Sequence, residues 1–173
     1  SFQYRLSDGA LSDTATVTLI IAPPPNVPPV AKDDTFSVNE DNAASGNVLA
    51  DNGAGVDSDA NDDGLTVSRL SGPSAGELML SSDGSFTLDP PDNFNGTITF
   101  AYTVSDGRGG SDRGDVSINV LPVNDPPVAV NDEYSGEFQA EISGNVITGS
   151  GAGSDSDVDG DDLTISTTPA VLP

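Results

Sequence analysis

Residues Thr97-Ile98-Thr99-Phe100-Ala101-Tyr102-Thr103-Val104-Ser105-Asp106-Gly107 decide the fold class. Ile98, Phe100, Tyr102 and Val104 alternate with Thr97, Thr99, Ala101 and Thr103. A period of two puts the four large apolar groups on one face of an extended chain, the pattern of a half-buried strand. Val116, Ile118 and Val120 repeat the alternation after the Asp106-Gly107 turn, as do Val17, Leu19 and Ile21 nearer the start. Working upstream, Ser82-Asp83-Gly84 sits between two further runs and reads as a hairpin turn. The chain also has 13 Pro and 19 Gly, which argue against helices. About seven short strands are predicted: Thr35–Glu40, Ser45–Ala50, Leu65–Leu70, Glu77–Ser81, Ser85–Asp89, Thr97–Ser105 and Asp115–Leu121.

The same stretch has a copy 98 residues earlier, Ser1-Phe2-Gln3-Tyr4-Arg5-Leu6-Ser7-Asp8-Gly9. Asn26-Val27-Pro28-Pro29-Val30-Ala31 likewise returns as Asn124-Asp125-Pro126-Pro127-Val128-Ala129. Gly53-Ala54-Gly55-Val56-Asp57-Ser58-Asp59 returns as Gly151-Ala152-Gly153-Ser154-Asp155-Ser156-Asp157, and Leu65-Thr66 as Leu163-Thr164. Self-similarity in one register marks tandem units. The chain divides into the C-terminal end of one repeat plus linker (1–27), a complete repeat (28–125) and the N-terminal part of a following one (126–173). Seven short strands in such a unit imply an all-β chain of tandem Greek-key β-sandwich repeats, immunoglobulin-like, with a period of about 98 residues. The Pro-Pro pairs mark the joints. Tyr4 and Tyr102, at equivalent alternating positions, are expected in cores, as is Tyr134, which aligns with Phe36. The chain starts at Ser1 inside a strand pattern, so we expect a piece of something longer, its ends either disordered or covered by neighbouring copies.

Charge narrows the function. The 173 residues carry 5 Lys+Arg against 28 Asp+Glu, a formal charge of −23. That balance excludes nucleic acid and anionic membrane surfaces as natural partners. Only Glu40, Glu77, Glu133, Glu137 and Glu141 are Glu; every other acid is Asp. Short carboxylates suit turns and metal loops. Cys and His are both absent, which removes the usual zinc sites, thiol chemistry and any histidine base. No apolar run is long enough for membrane insertion.

The acids concentrate between the second and third strands of each repeat. One loop reads Asp57-Ser58-Asp59-Ala60-Asn61-Asp62-Asp63-Gly64, the other Asp155-Ser156-Asp157-Val158-Asp159-Gly160-Asp161-Asp162. Two carboxylates about 4 Å apart repel by roughly 4 kcal/mol at an effective dielectric of about 20. Such loops call for a hard counter-ion, and Ca²⁺ takes about 6–8 oxygens in flexible geometry. Asp155, Asp157, Asp159 and Gly160 match the start of an EF-hand loop, but Ser166 stands where its closing Glu belongs and strand follows instead of helix. Chain reversal at each connection places Asp57, Asp59, Asn61, Asp62, Asp63 and Asp106 at one end of the complete repeat, beside Asn26. Glu40 and Asp41 then lie at the other end, beside Asn124 and Asp125 and facing Asp155, Asp157, Asp159 and Asp161. These residues are the candidate calcium ligands.

Val104-Ser105-Asp106-Gly107, Val116-Ser117-Ile118-Asn119-Val120 and Asn124-Asp125-Pro126-Pro127 resemble the end of a cadherin-type repeat, where the last strand enters a calcium-binding linker. With the Asp155–Asp162 loop, the chain is most similar to the bacterial cadherin-like tandem repeats of secreted adhesins of the RTX/VCBS kind. The resemblance covers nearly the whole chain. It implies Ca²⁺ between repeats stiffening an extracellular rod, type I secretion, and roles in adhesion or biofilm. It also implies that Asn124, Asp125, Glu40 and both Asp loops are ligands. Val27 departs from the pattern where the second linker has Asp125, and Gly136-Glu137-Phe138 replaces Val38-Asn39-Glu40.

A calcium-locked spacer whose partners are neighbouring repeats of the same or adjacent chains is the leading expectation. A carbohydrate- or protein-binding module is the second, set against an absence of Trp and only three Tyr. A glycosidase would need two carboxylates, with Glu77 or Glu141 available, but no motif singles them out and no enzyme is expected. The remaining reading is a filament joined through open strand edges at the ends.

Overall fold

A computed structural model describes residues 1–149 and 153–166. The repeat match at 151–152 and the last part of the third segment, 167–173, lie outside the described residues. Nine strands are present among them: β1 Phe2–Ser7, β2 Ser12–Val17, β3 Asp34–Asn39, β4 Ala44–Asn47, β5 Thr66–Ser71, β6 Glu77–Leu80, β7 Ser85–Asp89, β8 Gly96–Ser105 and β9 Ser111–Leu121. All seven strands expected in the complete repeat form, as β3 to β9. Two differ in length by more than one residue. The second stops at Asn47, whose side chain accepts from Leu49 N and turns the chain. The last begins at Ser111 because β9 pairs with β8 along its length, from Ser105↔Ser111 to Gly96↔Val120.

Two sheets stack as a sandwich, one in the order β3-β9-β8-β5 and the other β4-β7-β6. β3 runs parallel to β9, and the remaining pairs are antiparallel. The inward residues are those marked by the alternation. Ile98, Phe100, Tyr102 and Val104 on β8 are buried, as are Val116, Ile118 and Val120 on β9. Phe86 and Leu88 on β7 with Val48 close the core from the other sheet. Phe86 meets Phe36 edge-on at 4.9 Å and Phe100 at 5.6 Å, a preferred aromatic geometry. Gly46 lies directly under Phe36, and Gly114 under Tyr102, leaving no room for a Cβ at either place.

The first segment does not reach the expected state. β1 and β2 form a two-stranded sheet of their own, and Tyr4 is 49% exposed where Tyr102 is fully buried. The expected strand through Val17, Leu19 and Ile21 ends at Val17, leaving Leu19 and Ile21 exposed. The reason is packing: among the described residues no second sheet lies on this hairpin. Tyr134, also expected in a core, is 36% exposed. The pairing shows a slip as well. Phe2 faces Val17 as Phe100 faces Val116, and Tyr4 faces Ala15 as Tyr102 faces Gly114. β1 thus matches β8 at a spacing of 98 residues, while β2 matches β9 at 99, because the first hairpin turn is one residue shorter. Among the described residues no helix is long and apolar enough to cross a membrane.

Candidate metal centres at the two ends of the sandwich

The loop after Asp57 is shaped by its own aspartates. Asp59 Oδ1 accepts from Asn61 N at 2.7 Å and Asp63 N at 3.3 Å, an Asx-type turn. Asp62 sits in the left-handed region at φ 58° and is solvent-exposed. The third segment repeats the device: Asp157 Oδ1 accepts from Asp159 N at 2.9 Å and Asp161 N at 3.3 Å.

Each loop reaches across to its linker. At the first end, Val27 N donates to Asn61 Oδ1 at 2.7 Å, and Asn26 Nδ2 donates to Asp106 Oδ2 at 2.7 Å. Asp106 is almost fully buried, and its carboxylate also accepts from Arg108 N and Gly110 N. The Asn26 amide first, then these backbone donors, hold its pKa below the ordinary carboxylate value. Asp63 pairs with Arg108 at 3.0 Å. Asn26 Oδ1 and Asp59 Oδ2 are buried oxygens that receive no hydrogen bond.

At the second end, Asp125 N donates to Asp159 Oδ2 at 2.7 Å, the counterpart of Val27 and Asn61. Glu40 is buried and accepts from Val123 N at 2.5 Å. Asp41 accepts from Asn93 N at 2.8 Å, and Asn124 donates to the Asp125 carbonyl at 3.0 Å. Asp125 Oδ2 is buried and receives no hydrogen bond. Burial, followed by the charges of Asp41, Asp159, Glu40 and Asp157, raises the Asp125 pKa. This end therefore brings four other carboxylates within electrostatic reach of Asp125.

Asp57 and Asp155 have other work. Asp57 Oδ1 accepts from Lys32 N at 2.7 Å and Asp155 Oδ1 from Val130 N at 2.8 Å. Asp57 Oδ2 faces the Tyr102 hydroxyl at 2.9 Å in the interior. Asp34 Oδ2, Lys32 O and Val48 O also lie within 3.1 Å of that hydroxyl. One hydroxyl proton cannot serve four acceptors. Burial pushes the Asp34 pKa up to about 6, so below that pH its carboxyl carries a proton and adds a second donor to the cluster. The reading of the sequence missed Asp34, although its recurrence as Asp132 at the same spacing was visible. It missed Arg108 and the backbone of Asn93 and Val123 too, which carry no motif.

Among the described residues no three His, Cys, Asp or Glu side chains form a group able to hold a metal ion alone. Calcium accepts amide and backbone oxygens and water besides carboxylates. The unsatisfied buried oxygens of Asn26, Asp59 and Asp125 fit that chemistry, since a buried acceptor without a donor is costly and a cation satisfies it.

A profile of the bacterial Ig domain family matches residues 26–119. The chain belongs to this family. Its matched span runs from Asn26 in the first linker through β3 to all but the last two residues of β9. This bacterial Ig chain is also 34% identical over 134 residues to the calcium-binding lectin RapA2 of Rhizobium johnstonii. The alignment takes in 68% of this chain and 57% of that protein. Two solved endo-fucoidan hydrolases of glycoside hydrolase family 107, MfFcnA4 and MfFcnA9, overlap at 20% and 18% identity. Their TM-scores are 0.45 and 0.36, over 74% and 69% of this chain and 21% and 22% of theirs. Overlaps this partial carry no argument about activity.

Proposed function

We propose that this bacterial Ig chain is a calcium-binding structural module of a secreted or surface adhesin, with Ca²⁺ held at the two ends of the sandwich. The observation that carries this reading is the set of buried, unbonded oxygens on Asn26, Asp59 and Asp125, each at a place where linker and Asp loop meet. At the first end Asn26, Asp59 and Asp106 supply the oxygens, with Asn61 and Asp63 orienting the loop. At the second end Asp125, Glu40, Asp41, Asp157 and Asp159 do so. A cation bridging linker and loop fixes the angle between successive units, so repeats become a stiff spacer. The calcium-binding name of the RapA2 relative supports the choice of metal. Adhesion at the cell surface or in biofilm, and export by type I secretion, rest on the likeness to cadherin-like repeats.

The test is thermal unfolding of the 173-residue chain in EDTA, in Mg²⁺ and in Ca²⁺ at fixed ionic strength. A calcium-selective rise in melting temperature is expected, because an ion that binds only the folded state stabilises it. Identical melts in all three would leave the Asp loops as solvated turns. The relative's description as a lectin favours carbohydrate binding as the second reading. Calcium-dependent retention on immobilised glycans would support it.

A further inference from the structure

Tension carried along the chain reaches the sandwich through the linker at Asn26 and leaves it through the linker at Asp125. The strands next to those linkers are β3 and β9, and they are neighbours in one sheet. They run parallel, paired from Asp34↔Val116 to Asn39↔Leu121. β3 therefore begins where tension enters, and β9 ends where it leaves, at the opposite end of the sandwich. A pull on both linkers drives the two strands past each other along their length. Every bond between them is then loaded at once, while β4 to β8 lie off the path.

The seam is longer than the strand pairing. Ahead of β3, Ala31 N donates to Asp112 Oδ2 at 2.9 Å, and Asp115 N donates to Asp33 Oδ1 at 3.0 Å. Past the end of β3, Glu40 N donates to Leu121 O at 2.8 Å, and Val123 N to Glu40 Oε1 at 2.5 Å. Between them Ser37 Oγ donates to Asn119 O at 3.3 Å. Cross-links thus join the segment from Ala31 to Glu40 to the segment from Asp112 to Val123. Asp33 and Asp112 have no part in the calcium sets, and neither faces the Tyr102 hydroxyl. Both are exposed acids whose bonds go to backbone amides across the seam.

We propose that the β3–β9 pair is a load-bearing seam that lets the sandwich carry tension between its linkers, with Asp33 and Asp112 as latches at the end where tension enters. Bonds loaded one after another fail singly, each at a small force. Bonds loaded side by side fail together, so the barrier to opening draws on all of them. Forced unfolding is governed by that barrier and not by net stability. The evenly spaced bonds of a parallel pair suit the task, since no rung stands apart to break early. Calcium at the sandwich ends would set the angle between units. The seam sets the tension that one unit bears, and it needs no metal.

The experiment is single-molecule force spectroscopy of the 173-residue chain in EDTA, held by pairs of introduced cysteines, since the chain has none of its own. With Ala22→Cys and Pro127→Cys, force passes from linker to linker. With Ala22→Cys and Ser111→Cys, both handles sit at the start of the parallel pair and peel it open rung by rung. The linker-to-linker pull should break the sandwich in one step, at a force several-fold above the peeling force. Equal forces in the two directions would overturn the seam, and these two arms decide it without any further variant. Asp33→Ala with Asp112→Ala tests the latches against Val67→Ala, a core change on β5 outside the seam. For the same fall in urea midpoint, the Asp pair should lose more of the linker-to-linker force. A loss no greater than that of Val67→Ala would strike Asp33 and Asp112 from the proposal. None of these readouts depends on whether calcium binds at the sandwich ends.

Discussion

Asn26 Nδ2 donates to Asp106 Oδ2 across 2.7 Å, joining the linker ahead of the sandwich to the loop between β8 and β9. The same side chain's other atom, Oδ1, is buried without a donor. One residue therefore both fixes the linker and offers an oxygen to a cation. Asn26→Ala removes both functions while touching none of the apolar core. The expected outcome is a modestly lowered melting temperature in EDTA, from the hydrogen bond Asp106 loses, and a reduced calcium-induced rise. Calcium titrations followed by melting temperature check it; an undiminished rise would remove Asn26 from the first site.

The two ends differ by one residue of the linker. Val27 meets Asn61 at the first, and Asp125 meets Asp159 at the second. Asp125 faces Asp41, Asp159, Glu40 and Asp157, and its carboxyl resists ionisation for that reason and for its burial. Asp125→Asn should thus act with opposite signs in two buffers. In EDTA it relieves repulsion and leaves the melting temperature equal or higher. In calcium it removes a charged ligand and lowers the gain. A variant that falls equally in both buffers would show Asp125 to be structural only.

Much of this was legible in the residues, and the gaps have physical causes. Strands β3 to β9 were readable because period-two alternation is imposed locally by the pleat. Loops at the two ends were readable because strands reverse, so parity alone brings Asp106 to Asn26 and Glu40 to the linker at Asn124 and Asp125. The burial of Tyr4 was misread because alternation reports which face is apolar and says nothing about whether a second sheet covers it. The cluster of Asp34, Asp57 and Tyr102 was not legible at all. Its members lie 45 and 68 residues from Tyr102, and only the closed sandwich brings them together. The one-residue slip between the two hairpins hid in a linker of compensating length.

Gly114 tests how firmly Tyr102 is held. A Cβ there would run into the Tyr102 ring, whose hydroxyl is fixed among four oxygens. The ring has no direction in which to yield. Gly114→Ala should cost about 1–3 kcal/mol, the usual range for overpacking a core. Gly72→Ala, where a Cβ meets open space, should stay within about 0.5 kcal/mol. Chemical denaturation of the two variants side by side checks the contrast. Equal midpoints would mean that the core around Tyr102 is loose.

The buried acids also set a pH dependence with a definite sign. Asp34 has its pKa raised from 3.8 to about 6, chiefly by burial, while Asn52 and Tyr102 pull the other way. Burial raises Asp57 as well. Between those values the folded chain holds more protons than the unfolded one, so stability falls as pH rises from about 4 to about 6 and levels off above. Asp106 acts oppositely and lower, since its depressed pKa adds stability that is lost only in stronger acid. Asp34→Asn places a permanent donor where the proton would sit, with its Oδ1 still able to accept from Asn52. In EDTA, the variant should gain stability at neutral pH and lose most of the decline between pH 4 and 6. Urea midpoints read at several pH values check this. A decline as steep as in wild type would mean that Asp34 stays ionised and that Tyr102 donates to it, leaving Asp57 to hold the proton.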